Sequence, residues 1–305
     1  MSQSPEITTK SWLMILTLGL VWGAAFPVIE IALQGITPLW LAAYRIALAT
    51  VLTLGFWRAL GGRLFESALN AGEMLLLIAV GLLSSAFPFM LIAWGQQYVT
   101  AGFTGVAMAT VALFVLPLAH YLVPGERITW RKTAGFIIGF AGILVLMGPD
   151  VWALNGDALA LPGQIACVAA AGCYALSSIL MRRLPDVDPI GLSAILLLIG
   201  AVAVPPLAIL WEGPPVLPPV DTLVALAYLG LIPTAAANLL RVMVIRSAGP
   251  VFMSLTNYQV PVWSVILGVA FLGEPLHLSL FVAMALILVG VALSQYGALR
   301  RLFGQ

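Results

Sequence analysis

Thr256-Asn257-Tyr258-Gln259, followed by Pro261, interrupts an apolar stretch that runs from about residue 249 to 272. Polar side chains at that depth in hydrocarbon are costly unless they face a cavity or another helix. As a ligand site, the amides of Asn257 and Gln259 offer donors and acceptors suited to a zwitterion. Tyr258 and Trp263 add surface for an aromatic or aliphatic group, and Pro261 frees the carbonyl of Asn257. As packing, the same groups hydrogen-bond neighbouring helices and nothing more. The depth argument also selects Trp22, Phe26, Ser84, Phe87, Thr110, Tyr174, Ser177 and Asn238 as substrate contacts. Ser84 and its neighbour Ser85 are equally able to bond back onto their own helix.

Two charges inside apolar segments demand a separate account. Arg45 sits about two turns inside the second apolar segment, where a permanent charge must find a partner or reach the surface. Glu30, near the end of the first segment, differs from it in depth by about one turn at ~1.5 Å per residue. A structural Glu30–Arg45 ion pair is the expectation. A proton-coupling role for Glu30, or a clamp on a substrate carboxylate for Arg45, are the alternatives. Arg241 is expected to snorkel to the membrane surface. Glu126 and Glu274 are expected to cap the helices that follow them, and His120 and His277 to lie at the interfaces.

Catalytic constellations are missing from the sequence. There is no His-Glu-x-x-His, no pair of intramembrane aspartates and no Gly-x-Ser-x-Gly elbow. Neither Lys10 nor Lys132 follows a glycine, so no phosphate-binding loop of the Walker type exists. Cys167 and Cys173, six residues apart on different faces of one segment, suggest neither a disulfide nor a metal clip. The expectation is therefore no enzyme, no metal and no cofactor.

The 305-residue chain that must position these groups is 62% hydrophobic and 8% charged, with a mean hydropathy of +1.09. This is an all-α membrane protein with the lipid bilayer as partner and no nucleic acid. Ten segments meet the ~20-residue requirement of a span. They cover about 11 to 32, 37 to 58, 72 to 97, 101 to 123, 130 to 148, 158 to 180, 190 to 211, 221 to 246, 249 to 272 and 276 to 299. No cleavable signal peptide is evident, because the first stretch is full length and lacks a cleavage pattern. Gly125-Glu126 recurs at a constant offset as Gly273-Glu274, and Leu91 to Gly142 then lies over Leu239 to Gly290. The expected units are residues 1–148 and 149–305, five helices each. An odd number inverts the second repeat, as in many secondary transporters built around one central cavity.

Lys10, Arg58, Arg63, Arg127, Arg131, Lys132, Arg182, Arg183, Arg246, Arg300 and Arg301 all fall in alternate loops on one side. The positive-inside rule then puts both termini in the cytoplasm, with the protein in the inner (plasma) membrane. Pro27, Pro88, Pro117, Pro205, Pro206, Pro233 and Pro261 mark helices that surround a pathway, whereas helices 5 and 10 carry none inside. Gly19 and Gly23, and Gly135, Gly139 and Gly142, form small-residue faces that suit either close packing within the chain or a dimer contact. Monomer and homodimer both stay open.

Trp22-Gly23-Ala24-Ala25-Phe26, then Pro38, then Ala42-Ala43-Tyr44-Arg45, together with both Gly-Glu pairs, resembles the EamA type of the drug/metabolite transporter superfamily. The resemblance covers nearly the whole chain and is similar in character to bacterial amino-acid exporters, including those for aromatic amino acids. It implies a ten-helix basket, a cavity lined by helices 1, 3, 4, 6, 8 and 9, and alternating access. The substrate implied is an amino acid or related small metabolite, with multidrug or other metabolite efflux as the alternative. One departure is that Cys173-Tyr174 stands in helix 6 near the place of Trp22-Gly23 in helix 1.

Overall fold

The computed structural model describes residues 7–62, 64–65, 68–123, 128–148, 158–185 and 187–303. Arg63, Glu126, Arg127, Asp150, Trp152, Asp186 and the side chain of Arg301 lie outside the described residues, so the cap expected of Glu126 does too. Every regular element described is helical, and extended pairing is limited to one bridge between Phe65 and Val187. Eight helices are long and apolar enough to cross a membrane. They are α1 (Thr9–Ala32), α2 (Pro38–Ala59), α3 (Ala71–Gly95), α4 (Ala101–Leu122), α5 (Trp130–Met147), α6 (Ala160–Met181), α7 (Pro189–Glu212) and α8 (Val220–Met253). Two shorter apolar helices follow, α9 (Thr256–Leu272) and α10 (Leu278–Ser294), and then the short α11 (Tyr296–Phe303).

Two of the ten expected spans are short, and for α9 the reason is local. Gly249, at φ +87° and ψ 163°, breaks the 34-residue α8, and Pro250 starts a new turn that ends at Ser254 and Leu255. Only glycine adopts that conformation cheaply. The expected ninth segment is thus divided between the last turn of α8 and α9. Its polar quartet stands at the start of α9 rather than in mid-helix.

Helix starts are written locally. Thr8 with Ser11, and Asn70 with Glu73, form reciprocal capping boxes at α1 and α3. Thr100, Thr129 and Asp188 accept from the third residue of α4, α5 and α7. These caps satisfy amides that lipid cannot.

Packing assigns the helices to layers. The glycine face of α5 lies on α10, where a Cβ on Gly135 would sit 2.5 Å from the carbonyl oxygen of Gly290 and one on Gly142 2.8 Å from Ile287. That face is filled within the chain. Helices α2 and α7 form the other outer pair, docked at both ends. Glu212 at the end of α7 accepts from Thr37 Oγ1 (2.5 Å), Leu39 N (3.0 Å) and Trp40 N (3.2 Å) at the start of α2. At the opposite end, Asp188 N at the start of α7 donates to Leu64 O beyond α2. One apolar cluster then joins α1, α3, α4, α6, α8 and α9 with Leu41 of α2.

Candidate functional site

Helices α3 and α8 both lose α-helical register deep in the bundle. A π-helical stretch covers Leu82–Ala86 in α3 and Gly230–Ala236 in α8, the two starts being 148 residues apart. Proline explains both, since a ring without an N–H cannot continue the i to i−4 ladder. Pro88 follows the first stretch and Pro233 lies inside the second. The backbone bridges each defect with a wider bond, Phe87 N to Leu82 O and Ala237 N to Ile232 O. Such bulges place unpaired carbonyls and side chains where a regular helix has neither, which is why they concentrate at functional sites.

The α8 defect is the hub. Trp22 Nε1 of α1 donates to Pro233 O at 3.0 Å, Arg45 Nε of α2 donates to Thr234 Oγ1 at 2.8 Å, and Asn238 Nδ2 donates to Thr234 O at 2.7 Å. Thr234 Oγ1 in turn donates to Leu229 O, five residues back. Around this polar knot, Phe26 is buried, and Trp22, Tyr44, Tyr174 and Tyr228 pack against the same apolar cluster. Gly19 and Gly23 bring α1 onto α9, where Gln259 and Trp263 lie against them. A Cβ on Gly23 would approach Trp263 Cβ to 2.5 Å.

The expected Glu30–Arg45 ion pair does not form. Arg45 is 7% exposed, its guanidinium lies 4.3 Å from the centre of the Phe89 ring, and its side-chain bond goes to Thr234. Similar depth on adjacent helices was the warrant for the pair, and the side chains point to different neighbours. Glu30 instead lies beside Glu274, and Glu30 Oε2 has no hydrogen-bond partner among the described residues. Glu274 accepts from Ala101 N at 2.5 Å and Gly102 N at 3.0 Å, so it caps α4 from the other half of the chain rather than α10, which follows it. A concavity of about 480 Å³ opens here, lined by Glu30, Gln34, Gln96 and Thr100.

The remaining candidates divide. Ser84 and Ser85 bond back to Gly81 O, with Ser85 also reaching Leu196 O. Thr110 and Ser177 bond to Ala107 O and Tyr174 O within their own helices. Phe87 is 40% exposed and stands outside the cluster around Trp22. Tyr258 turns to the α10 side, with its hydroxyl 3.5 Å from Gln295 Oε1. Asn257 is half-buried at the start of α9. The structure therefore gathers Trp22, Phe26, Tyr174 and Asn238 near the α8 defect, while Gln259 and Trp263 lie against Gly19 and Gly23 where α1 meets α9. Arg45, for which a carboxylate clamp was the alternative to the ion pair, joins them, together with Thr234, Phe89 and Tyr228, which sequence reasoning did not assign as contacts. Pro233 was the available signal for Thr234, because a proline in a span frees a carbonyl one turn earlier.

The EamA-like transporter family matches residues 9–148 and again 161–296. An uncharacterized inner membrane transporter, YedA, of Escherichia coli is 29% identical over 93% of this chain and 90% of its own length. An uncharacterized transporter, YoaV, of Bacillus subtilis is 24% identical over 96% and 99%. A protein of Salmonella typhimurium named "Probable amino-acid metabolite efflux pump" is 27% identical over 60% of this chain and 57% of its own. One solved structure, described only as a crystal structure of a protein, superposes with a TM-score of 0.66 at 20% identity. It covers 97% of this chain and 99% of that one, which shows a shared fold.

Proposed function

We propose that this chain, which belongs to the EamA-like transporter family and is a multi-pass membrane transporter rather than an enzyme, exports amino acids or closely related small metabolites by alternating access. The observation that carries the reading is the α8 defect, where a discontinuous helix deep in the bundle is surrounded by aromatic side chains. Broken helices are where secondary transporters build their sites, because the freed backbone groups need a partner and a substrate can be one. Trp22, Phe26, Tyr174 and Trp263 supply apolar and π surface, and Asn238, Asn257 and Gln259 supply a few polar anchors, the composition of a small-molecule pocket. The relative named for amino-acid metabolite efflux supports the substrate class.

On this reading residues 1–148 and 149–305 are inverted repeats that rock against one another about the site. Both termini face the cytoplasm of a cell whose inner membrane holds the protein. Arg183 donates to Leu122 O, Arg246 pairs with Asp188 at 3.5 Å and Arg131 lies over Tyr296, so these cations share one end of the bundle, which favours that orientation.

The test is flux from liposomes loaded with labelled aromatic and small neutral amino acids, cationic drugs or sugars. Amino acids should leave faster than from empty-protein controls, and a Trp22→Ala protein that still folds should lose most of that rate. Movement of drugs or sugars alone would favour the efflux alternative.

A further inference from the structure

Among the described residues, the charges of the interior do not balance. The acidic residues described are Glu30, Glu73, Asp188, Glu212, Asp221 and Glu274. All stand at helix ends. Glu73 caps α3, Asp188 caps α7 and meets Arg246, Glu212 caps α2 and Glu274 caps α4 with Glu30 beside it, while Asp221 lies in the first turn of α8. None pairs with Arg45 or Arg241. Arg45 is buried inside the bundle, whereas Arg241 of α8 keeps an exposed side chain, and Tyr174 of α6 is in the electrostatic reach of each, with Tyr228 near Arg45.

Arg45 itself is incompletely served. A guanidinium carries five N–H donors in a planar fork. The Nε–H goes to Thr234 and one face of the plane lies over Phe89, which leaves the two terminal nitrogens without a partner among the described residues. Burying a charge with free donors costs several kcal/mol unless an anion arrives. A carboxylate matches the fork with two parallel hydrogen bonds, a geometry that neither an amide nor an ammonium reproduces. Arg241, with an exposed side chain, is a second cation within the electrostatic reach of Tyr174.

We propose that the substrate is recognised as an anion: its carboxylate docks on the free edge of Arg45, with the Tyr174 hydroxyl and Arg241 beside it, and its apolar body lies among Phe26, Phe89 and Tyr228. This rests on the transport reading and narrows its substrate class to carboxylic acids with an apolar or aromatic body. With two cations and no described carboxylate at the site, an ammonium is not required and gains little. An N-acylated amino acid should bind at least as well as the free one.

The experiment uses the whole purified protein and three probes: phenylalanine, N-acetylphenylalanine and phenylalaninamide. Binding is read in detergent from the shift in melting temperature across a titration, and flux is read in liposomes. N-acetylphenylalanine and phenylalanine should stabilise the protein, and the amide should not. Arg45→Lys, which keeps the charge and loses the fork, and Arg241→Gln should each weaken binding of the two acids at least tenfold. If one variant does not fold, the other and the acid-against-amide comparison on the unaltered protein still decide. Equal binding of acid and amide, or unchanged acid binding in a folded Arg45→Lys protein, overturns the inference. If acid and amide bind and move equally, this inference falls and the transport reading stands. If the acid binds selectively and nothing moves, the reverse holds.

Discussion

Replacing Glu274 should loosen the start of α4, although the two lie 173 residues apart in sequence. The carboxylate accepts from Ala101 N and Gly102 N, and glycines at 102 and 268 leave the room for it. A Cβ on Gly268 would lie 2.4 Å from Glu274 Oε2. A hydrogen bond to a charged group contributes about 1.5–3 kcal/mol, and a carboxylate at a helix start adds about 0.3–1 kcal/mol through the dipole. The two bonds share one side chain and do not add fully. Glu274→Gln keeps one oxygen but sets an amide NH₂ against a backbone N–H, so a loss of about 2–3 kcal/mol is expected. Glu274→Ala strands both amides and should cost about 3–5 kcal/mol. At about 2 °C per kcal/mol for a chain of this size, the glutamine protein should melt roughly 5 °C lower in detergent. Glu73→Gln is the control, because that carboxylate caps its own helix at an exposed site and should cost under about 1 kcal/mol. A Glu274→Gln protein melting within about 1 °C of the unaltered one, or a Glu73→Gln protein falling as far, would refute the reasoning.

Other perturbations have defined outcomes. Gly290→Val should prevent α5 from seating on α10, since a Cβ there meets the backbone of Gly135 and Gly139 at 2.5–2.7 Å; the folded yield should collapse, and normal yield would contradict the packing. Trp22→Phe leaves Pro233 O without its donor, which should cost about 1–3 kcal/mol and slow flux; unchanged melting and flux would remove that bond from the account. Leu210→Ala, on a residue 74% exposed to the bilayer side of α7, should change melting by under about 0.5 kcal/mol. A reporter cysteine at Pro215 should label from outside the cell and one at Arg246 only after the membrane is opened; the opposite pattern would reverse the orientation.

The fold was largely legible because its signals are one-dimensional. Apolar runs give spans, and the break at Gly249 inside α8 falls where the segment from about 249 was expected to begin, although the turn after it stays with α8. The site was legible only in part. Depth along a helix can be read from sequence, but the direction of a side chain around the bundle depends on which neighbour the helix crosses. That is why Glu30 and Arg45, matched in depth, diverge to Glu274 and Thr234. Tyr258 and Trp263 sit on one helix, yet Trp263 meets α1 and Tyr258 meets α10, because five residues at ~100° each leave the two side chains about 140° apart around the axis. Glu274 reads as a local cap, and only the meeting of the two halves makes it a cap for α4. The π turns were foreshadowed by Pro88 and Pro233, but not the capture of Pro233 O by an indole.

Counterflow tests the central claim most directly. Liposomes holding the purified protein and a high internal concentration of unlabelled amino acid are diluted into trace labelled amino acid. The account predicts transient accumulation of label inside, saturable and abolished in a folded Trp22→Ala protein. Failure of every amino acid to accumulate, or a rate that rises linearly with concentration and ignores the internal load, would contradict it.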